Sequence, residues 1–129
     1  MDDSASTEEI KRYDGPRNEK NEPCGFGTAK LTNGDRYKGT FRKGLFNGNG
    51  VLKQRNGQRY EGNFRKGLRN GRGTQTYADC SSYCGDWRKG IRHGYGVYRY
   101  TNNDCFEGNW CGDKKHGIGT YTFAENGES

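Results

Sequence analysis

Long hydrophobic runs are absent. No apolar stretch exceeds two or three residues, so no segment can cross a membrane as a helix. Apolar residues make up only 28% of the chain against 29% charged, and the mean hydropathy is -1.30. That leaves too little aliphatic matter for a broad core, and composition alone leans toward disorder. The five cysteines, Cys24, Cys80, Cys84, Cys105 and Cys111, are an odd number, and nothing resembles a signal peptide. They read as reduced thiols of a cytosolic protein rather than a disulfide framework. No Ser/His/Asp cluster, phosphate loop or pair of acids stands out, so no catalytic residue and no cofactor is assigned, and the expectation is a non-enzymatic protein.

What is present points to order. Aromatics reach 13%, as nine Tyr, six Phe and two Trp, beside 22 glycines. That pairing suits a fold built on ring anchors and tight turns. Charge is also unevenly placed. Residues 1–23 hold seven acids and four bases, whereas residues 24–129 hold nine acids and eighteen bases. A basic body favours acidic partners.

An internal period organises the chain. Tyr37, Tyr60, Tyr83 and Phe106 stand 23 residues apart and open the phrases YKGTF, YEGNF, YCGDW and FEGNW. Within them Gly39, Gly62, Gly85 and Gly108 recur. Seven residues after each opening come Gly44, Gly67 and Gly90, with Asp113 breaking the rule and Gly112 one place early. Further on come the pairs Gly48/Gly50, Gly71/Gly73, Gly94/Gly96 and Gly117/Gly119. An imperfect copy precedes them: Tyr13-Asp14-Gly15, closed by Gly25 and Gly27 at a spacing one residue longer.

Period-2 alternation within each phrase predicts one β-hairpin per copy, with Tyr37, Gly39 and Phe41 on one face and Lys38 and Thr40 on the other. Gly39 leaves a slot for close approach of a neighbour. The stretch from Gly44 to Gly50 is expected to turn the chain, a second strand to follow (Gly96 to Tyr100, for example), and Asn33-Gly34 and Asn56-Gly57 to link hairpins. Asp79-Cys80 and Asn102-Asn103 fill that linking slot without glycine. The expected fold is all-β, an elongated, solenoid-like sheet of stacked antiparallel hairpins. Residues 1–12 form a flexible tail, 13–36 an irregular repeat, and 37–59, 60–82, 83–105 and 106–129 full repeats. Ladders of equivalent rings should run through it: Tyr37, Tyr60, Tyr83, Phe106; Phe41, Phe64, Trp87, Trp110; and Tyr77, Tyr100, Phe123 on the second strands. No copy can bury its rings alone, so stability comes from neighbours.

The phrase Y-x-G-x-[FW]-x-x-G-x-x-x-G-x-G resembles that of the MORN repeat family over residues 13–123. The resemblance implies scaffolding roles, at membranes or as an accessory part of enzymes. A narrower likeness, carried by YDGPRNEKNEPCGFG, RHGYGVYRYTNNDCFEGNW and KKHGIGTYTFAENG, is to members of the family found in the radial spoke head of motile cilia and sperm flagella. It implies a non-catalytic, axonemal place in the cytoskeleton, with other radial spoke head proteins as partners.

Three candidate docking features follow from the residues. The pairs Arg42-Lys43, Arg65-Lys66 and Arg88-Lys89 occupy identical positions, with Lys114-Lys115 near the fourth. They are either a basic rail for an acidic partner, anionic lipids included, or solvated residues that keep the sheet soluble. The last strand, Gly119 to Phe123, has no following hairpin. Its edge, with Tyr121 and Phe123, is expected to take a partner or a second copy. His93 and His116 match Asn47 and Asn70 in earlier copies and read as a polar slot, not metal or acid–base chemistry. The cysteines lack zinc-site spacing. Nucleic acid is not expected, because the rings are consumed by the ladders.

Overall fold

The computed structural model describes residues 9–125. These form one ten-stranded antiparallel sheet whose spatial order follows chain order. The strands are β1 Ile10–Asp14, β2 Gly25–Leu31, β3 Arg36–Arg42, β4 Leu45–Lys53, β5 Arg59–Arg65, β6 Leu68–Thr76, β7 Ser82–Arg88, β8 Ile91–Arg99, β9 Cys105–Cys111 and β10 Lys114–Thr122. The expected all-β sheet of stacked hairpins is what the chain forms. β1 opens earlier than the sequence reading placed it. Ile10 pairs with Leu31 and the Thr32 N–H donates to Glu9 O at 2.9 Å, so residues 10–12 are sheet rather than tail. The remainder of the expected tail, residues 1–8, lies outside the described residues.

The turns differ from expectation. Gly44 to Gly50 is not a turn: Arg42 pairs directly with Leu45, and the chain reverses over Lys43-Gly44 alone. Both central residues have positive φ, 51° and 79°, which is the two-residue turn whose twist matches paired strands. Lys66-Gly67 and Lys89-Gly90 repeat it. Gly112-Asp113 keeps the same geometry with the glycine moved to the first position, so the shifted glycine in the fourth copy leaves the turn intact. The irregular first copy gains its extra residue here. Its loop is three residues long, Glu19 to Asn21, closed by Asn18 N–H to Glu22 O and Asn21 N–H to Asn18 O. The links between hairpins are three-residue loops too, with Gly34, Gly57, Cys80 and Asn103 at positive φ.

The Gly-x-Gly pairs sit mid-strand. Gly39 faces Gly50 and Phe41 faces Phe46, so β4 carries two extra residues opposite Thr40. The same bulge recurs in β6, β8 and β10. Tyr77 and Tyr100, expected on second strands, lie one residue past β6 and β8, and Phe123 one past β10. Their N–H groups close the linking loops instead, as Tyr77 N–H to Ser81 O and Tyr100 N–H to Asp104 O.

One face carries the core. Tyr37, Tyr60 and Tyr83 are essentially sealed from solvent, and Phe41, Phe64, Trp87 and Trp110 nearly so. The phrase Y-x-G-x has a simple cause. The tyrosine lies back over the glycine two residues on, and its hydroxyl donates to the next carbonyl: Tyr37 to Thr40 O at 2.8 Å, Tyr60 to Asn63 O at 2.9 Å, Tyr83 to Asp86 O at 3.0 Å. Tyr13 makes the equivalent bond to Pro16 O. A Cβ on Gly39 would stand 2.5 Å from Gly50 Cα and 2.7 Å from Tyr37 Oη. The expected slot is therefore filled by the chain's own ring and the facing backbone. Tyr60→Phe should cost about 1 kcal/mol, the worth of one net hydrogen bond. Chemical denaturation reads it, and an unchanged midpoint would remove this bond from the account.

The second ladder joins copies. Phe64 meets Tyr37 edge-on at 5.3 Å, Trp87 meets Tyr60 at 5.4 Å, and Trp110 meets Tyr83 at 5.3 Å. Each incoming ring thus packs on the tyrosine of the copy before. Burial also governs titration: it pushes the Tyr83 hydroxyl up to about 12 and raises those of Tyr37 and Tyr60. The folded chain keeps these protons where the unfolded chain, near 10, has lost them. Their contribution to stability is complete below pH 10 and falls as pH rises from about 10 through 12. The share of the tyrosinate absorbance that belongs to these three of the nine tyrosines should therefore appear only together with loss of sheet structure. Ionisation of all nine in an intact sheet would contradict the burial.

Candidate functional site

The sheet offers a core face, a reverse face and two strand ends, and each candidate residue falls on one of them. The rail lies at the two-residue turns. Arg42, Arg65 and Arg88 end their strands, Lys43, Lys66 and Lys89 lead the turns, and all six are exposed. Hydrogen bonds between hairpins stack these turns: Gly67 N–H to Phe46 O and Gly90 N–H to Arg69 O, both 2.9 Å. Asn47 and Asn70 accept the Lys66 and Lys89 N–H groups at 3.4 and 3.3 Å. A polar side chain at this slot therefore supports the neighbouring turn. His93 and His116 occupy the same slot. Between adjacent turns run small grooves. Arg42, Lys43, Arg65 and Lys66 line one, and Arg65, Arg88 and Lys89 with Asp86 and His93 line another.

At the other end of the sheet, every residue of β10 is exposed, Ile118 and Phe123 most of all. Tyr121 is less free than its position implied. Its hydroxyl donates to Asp104 Oδ2 at 2.8 Å, and Asp104 Oδ1 accepts the Ala124 N–H at 2.7 Å. Phe123 packs on Tyr121 at 5.0 Å. The two rings continue a half-open tyrosine row, Tyr77, Tyr98 and Tyr100, along the core face.

Two features escaped the sequence reading. The first is cationic intercalation in the ring seam. Nine residues after each opening aromatic stand Phe46, Arg69, Arg92 and Lys115. Phe46 stacks flat on Tyr37 at 3.8 Å. Arg69 replaces it over Tyr60 and Trp87 at 5.2 and 5.6 Å. Arg92 lies 4.7 Å over Trp110 and contacts Tyr83 and Tyr98. Lys115 sits 4.6 Å over Phe106. Flat guanidinium groups stack on ring faces and replace a ring with little loss of contact. Each arginine is anchored. Arg69 Nε donates to Gln75 Oε1 at 2.9 Å, and Arg92 Nε donates to Asp113 Oδ1 at 2.7 Å. Burial lowers the Arg69 pKa from its ordinary value. Recurrence at the Phe46 position was the available signal.

The second lies on the reverse face, in a shallow groove of about 670 Å³ crossing β1 to β5. Arg12, Lys30, Arg36, Lys38, Lys53 and Arg59 line it, with Asp14 as its one carboxylate. Strand alternation was the signal here, because these residues point away from the rings. Among the described residues no group of three or more His, Cys, Asp or Glu stands close enough to hold a metal ion. The cysteines are free thiols.

Comparison with protein families agrees with this architecture. The MORN repeat model matches residues 19–36, 37–59, 60–79, 83–105 and 106–128. No curated protein gives a significant match. Modules of this family are non-enzymatic scaffolds that bind proteins or membranes. With five matched copies over most of its length, the chain belongs to the MORN repeat family.

Proposed function

We propose that the chain is a non-catalytic structural component of the axonemal radial spoke head, serving as a spacer and docking surface that supports ciliary or flagellar motility. The observation that carries the scaffold reading is the continuity of the ring seam. Incoming rings, or stacked arginines, tie every copy to the one before, so ten strands act as one plate with its outer faces left to partners. The spoke head assignment rests on the likeness of YDGPRNEKNEPCGFG and RHGYGVYRYTNNDCFEGNW to members of the family at that location. The exposed Ile118 and Phe123 side chains support a contact with a further protein or a second copy.

Tagging the protein in ciliated or sperm-forming cells tests this. Axonemal signal that survives detergent, with spoke head subunits in the co-purified material, is the expected result. Diffuse or detergent-labile signal would overturn it. A second reading, a peripheral adaptor on anionic lipids, draws support from the rail and the reverse-face groove, both rich in cations. Salt-sensitive binding to anionic but not neutral vesicles would favour it.

A further inference from the structure

We propose that the reverse-face groove takes an extended, carboxylate-rich segment of a partner protein, laid across β1 to β5 with acidic residues recurring at every third position. This inference rests on the reading of the chain as a docking surface, not on the spoke head assignment. Its test reads the groove alone, so its failure leaves the β10 contact and the spoke head assignment untouched.

The groove is built on a repulsive row. Strand register pairs Arg12 with Lys30, Lys30 with Arg36, Arg36 with Lys53, and Lys53 with Arg59. One exposed cation per strand thus stands directly opposite the next across five strands. Like charges on directly opposed positions destabilise a sheet. The fold does not require them, because the next positions in register are Thr76 and Ser82. Among the described residues, the ion pair made by a cation of the row is Arg59 to Glu61 at 3.1 Å, between two exposed side chains, and such pairs contribute little. Two residues along each strand runs a parallel row, Asp14, Thr28, Lys38, Val51 and Glu61. It adds Lys38 at the middle of the groove and keeps its acids to β1 and β5.

Spacing and the missing side chains identify the occupant. Arg12, Arg36 and Arg59 stand on alternate strands, so two strand spacings, about 9.6 Å, separate each from the next. A polyproline-type chain rises about 3.1 Å per residue, so carboxylates three residues apart recur every 9.3 Å or about that. Each then meets one guanidinium, whose planar fork matches the two carboxylate oxygens. Lys30 and Lys53 neutralise the charge between them. Mutual repulsion keeps an acidic segment extended before it binds. Phosphate fits less well, because its double charge is met best by cations converging on one point, and these stand in single file. The one aromatic residue of the lining, Tyr37, is sealed on the opposite face, so no platform exists for stacking bases. Ala29 is buried and Val51 half-buried, so the lining offers no exposed apolar side chain to a bilayer.

The test uses the full chain and a fluorescent peptide of Glu-Pro-Pro repeats, followed by anisotropy. Binding is expected at low salt and should fade as salt rises. The variant R12Q/R36Q/R59Q should bind about tenfold more weakly than the native chain. R42Q/R65Q/R88Q removes the same number of arginines from the rail and should bind as the native chain does. Equal losses in the two variants would reduce the attraction to net charge and overturn the proposal. A peptide of the same composition with its glutamates gathered at one end should bind more weakly, and equal affinity for the two peptides would overturn it as well. So would oligo-dT or anionic vesicles bound more tightly than the peptide through the same three arginines, because the occupant would then be nucleic acid or lipid. Circular dichroism checks that each variant keeps its sheet. The groove variant should melt no lower than the native chain, since it relieves repulsion between opposed cations. A lower melting point would give the arginines a structural role and count against the proposal.

Discussion

Replacing Trp87 with alanine is expected to cost about 3–5 kcal/mol, the range for deleting a large buried ring. Trp87 is 6% exposed and holds two copies together. It meets Tyr83 of its own copy at 5.2 Å and Tyr60 of the preceding one at 5.4 Å, both edge-on. Its Nε1 donates to Gly73 O at 3.0 Å, and Arg69 covers its face. Deletion leaves a cavity and strips Arg69 of one of its two ring partners. Trp87→Phe should recover most of the loss, leaving about 1 kcal/mol for the missing hydrogen bond. Denaturant titration reads both. A loss below 1 kcal/mol for alanine would mean that copies are held together by backbone bonds alone.

Gly73→Ala is expected to cost about 3 kcal/mol, near the upper end for overpacking a tight site. A Cβ at Gly73 would stand 2.6 Å from Tyr60 Cε1 and overlap Cζ and the hydroxyl. The ring cannot step aside, because its hydroxyl is tied to Asn63 O and its faces to Arg69 and Trp87. The clash is with the ring, so in a Tyr60→Ala background the same substitution should be nearly silent. Equal cost in both backgrounds would place the strain in the backbone instead. Gly57→Ala makes a useful contrast: nothing lies within 4 Å of a Cβ there, and any cost comes from its φ of 96°.

Much of this was legible in the sequence because the repeat is periodic in the residues that pack. Spacing of 23 residues places Tyr60 beside Leu52 and Gln75 in the sheet and lets Phe64, Trp87 and Trp110 each meet the tyrosine of the copy before. The slot at Gly39 follows from strand alternation alone. The turns were less legible. Lysine rarely takes positive φ, so Lys43-Gly44 does not announce a two-residue turn, and the more obvious Gly48/Gly50 pair drew the turn to the wrong place. A bulge and a turn use glycine for the same reason, and only register separates them. The ring-seated Arg69 and Arg92 were less legible for another reason, although they recur at the Phe46 position. A charged residue near a turn ordinarily faces water, and its stacking shows only once the neighbouring copy supplies Trp87 or Trp110. The cation row escaped because its members are far apart in sequence: Arg12, Lys30 and Arg59 become neighbours only through β1 to β5.

The central claim is that rings passed from one copy to the next make the hairpins a single plate. A double-mutant cycle on Tyr60 and Trp87, with each replaced singly and both together by alanine and unfolding followed in denaturant, measures it most directly. The two rings belong to different copies and touch, so a coupling of about 0.5–1.5 kcal/mol is expected. Strictly additive losses would contradict the claim, because each ring would then stabilise only its own hairpin.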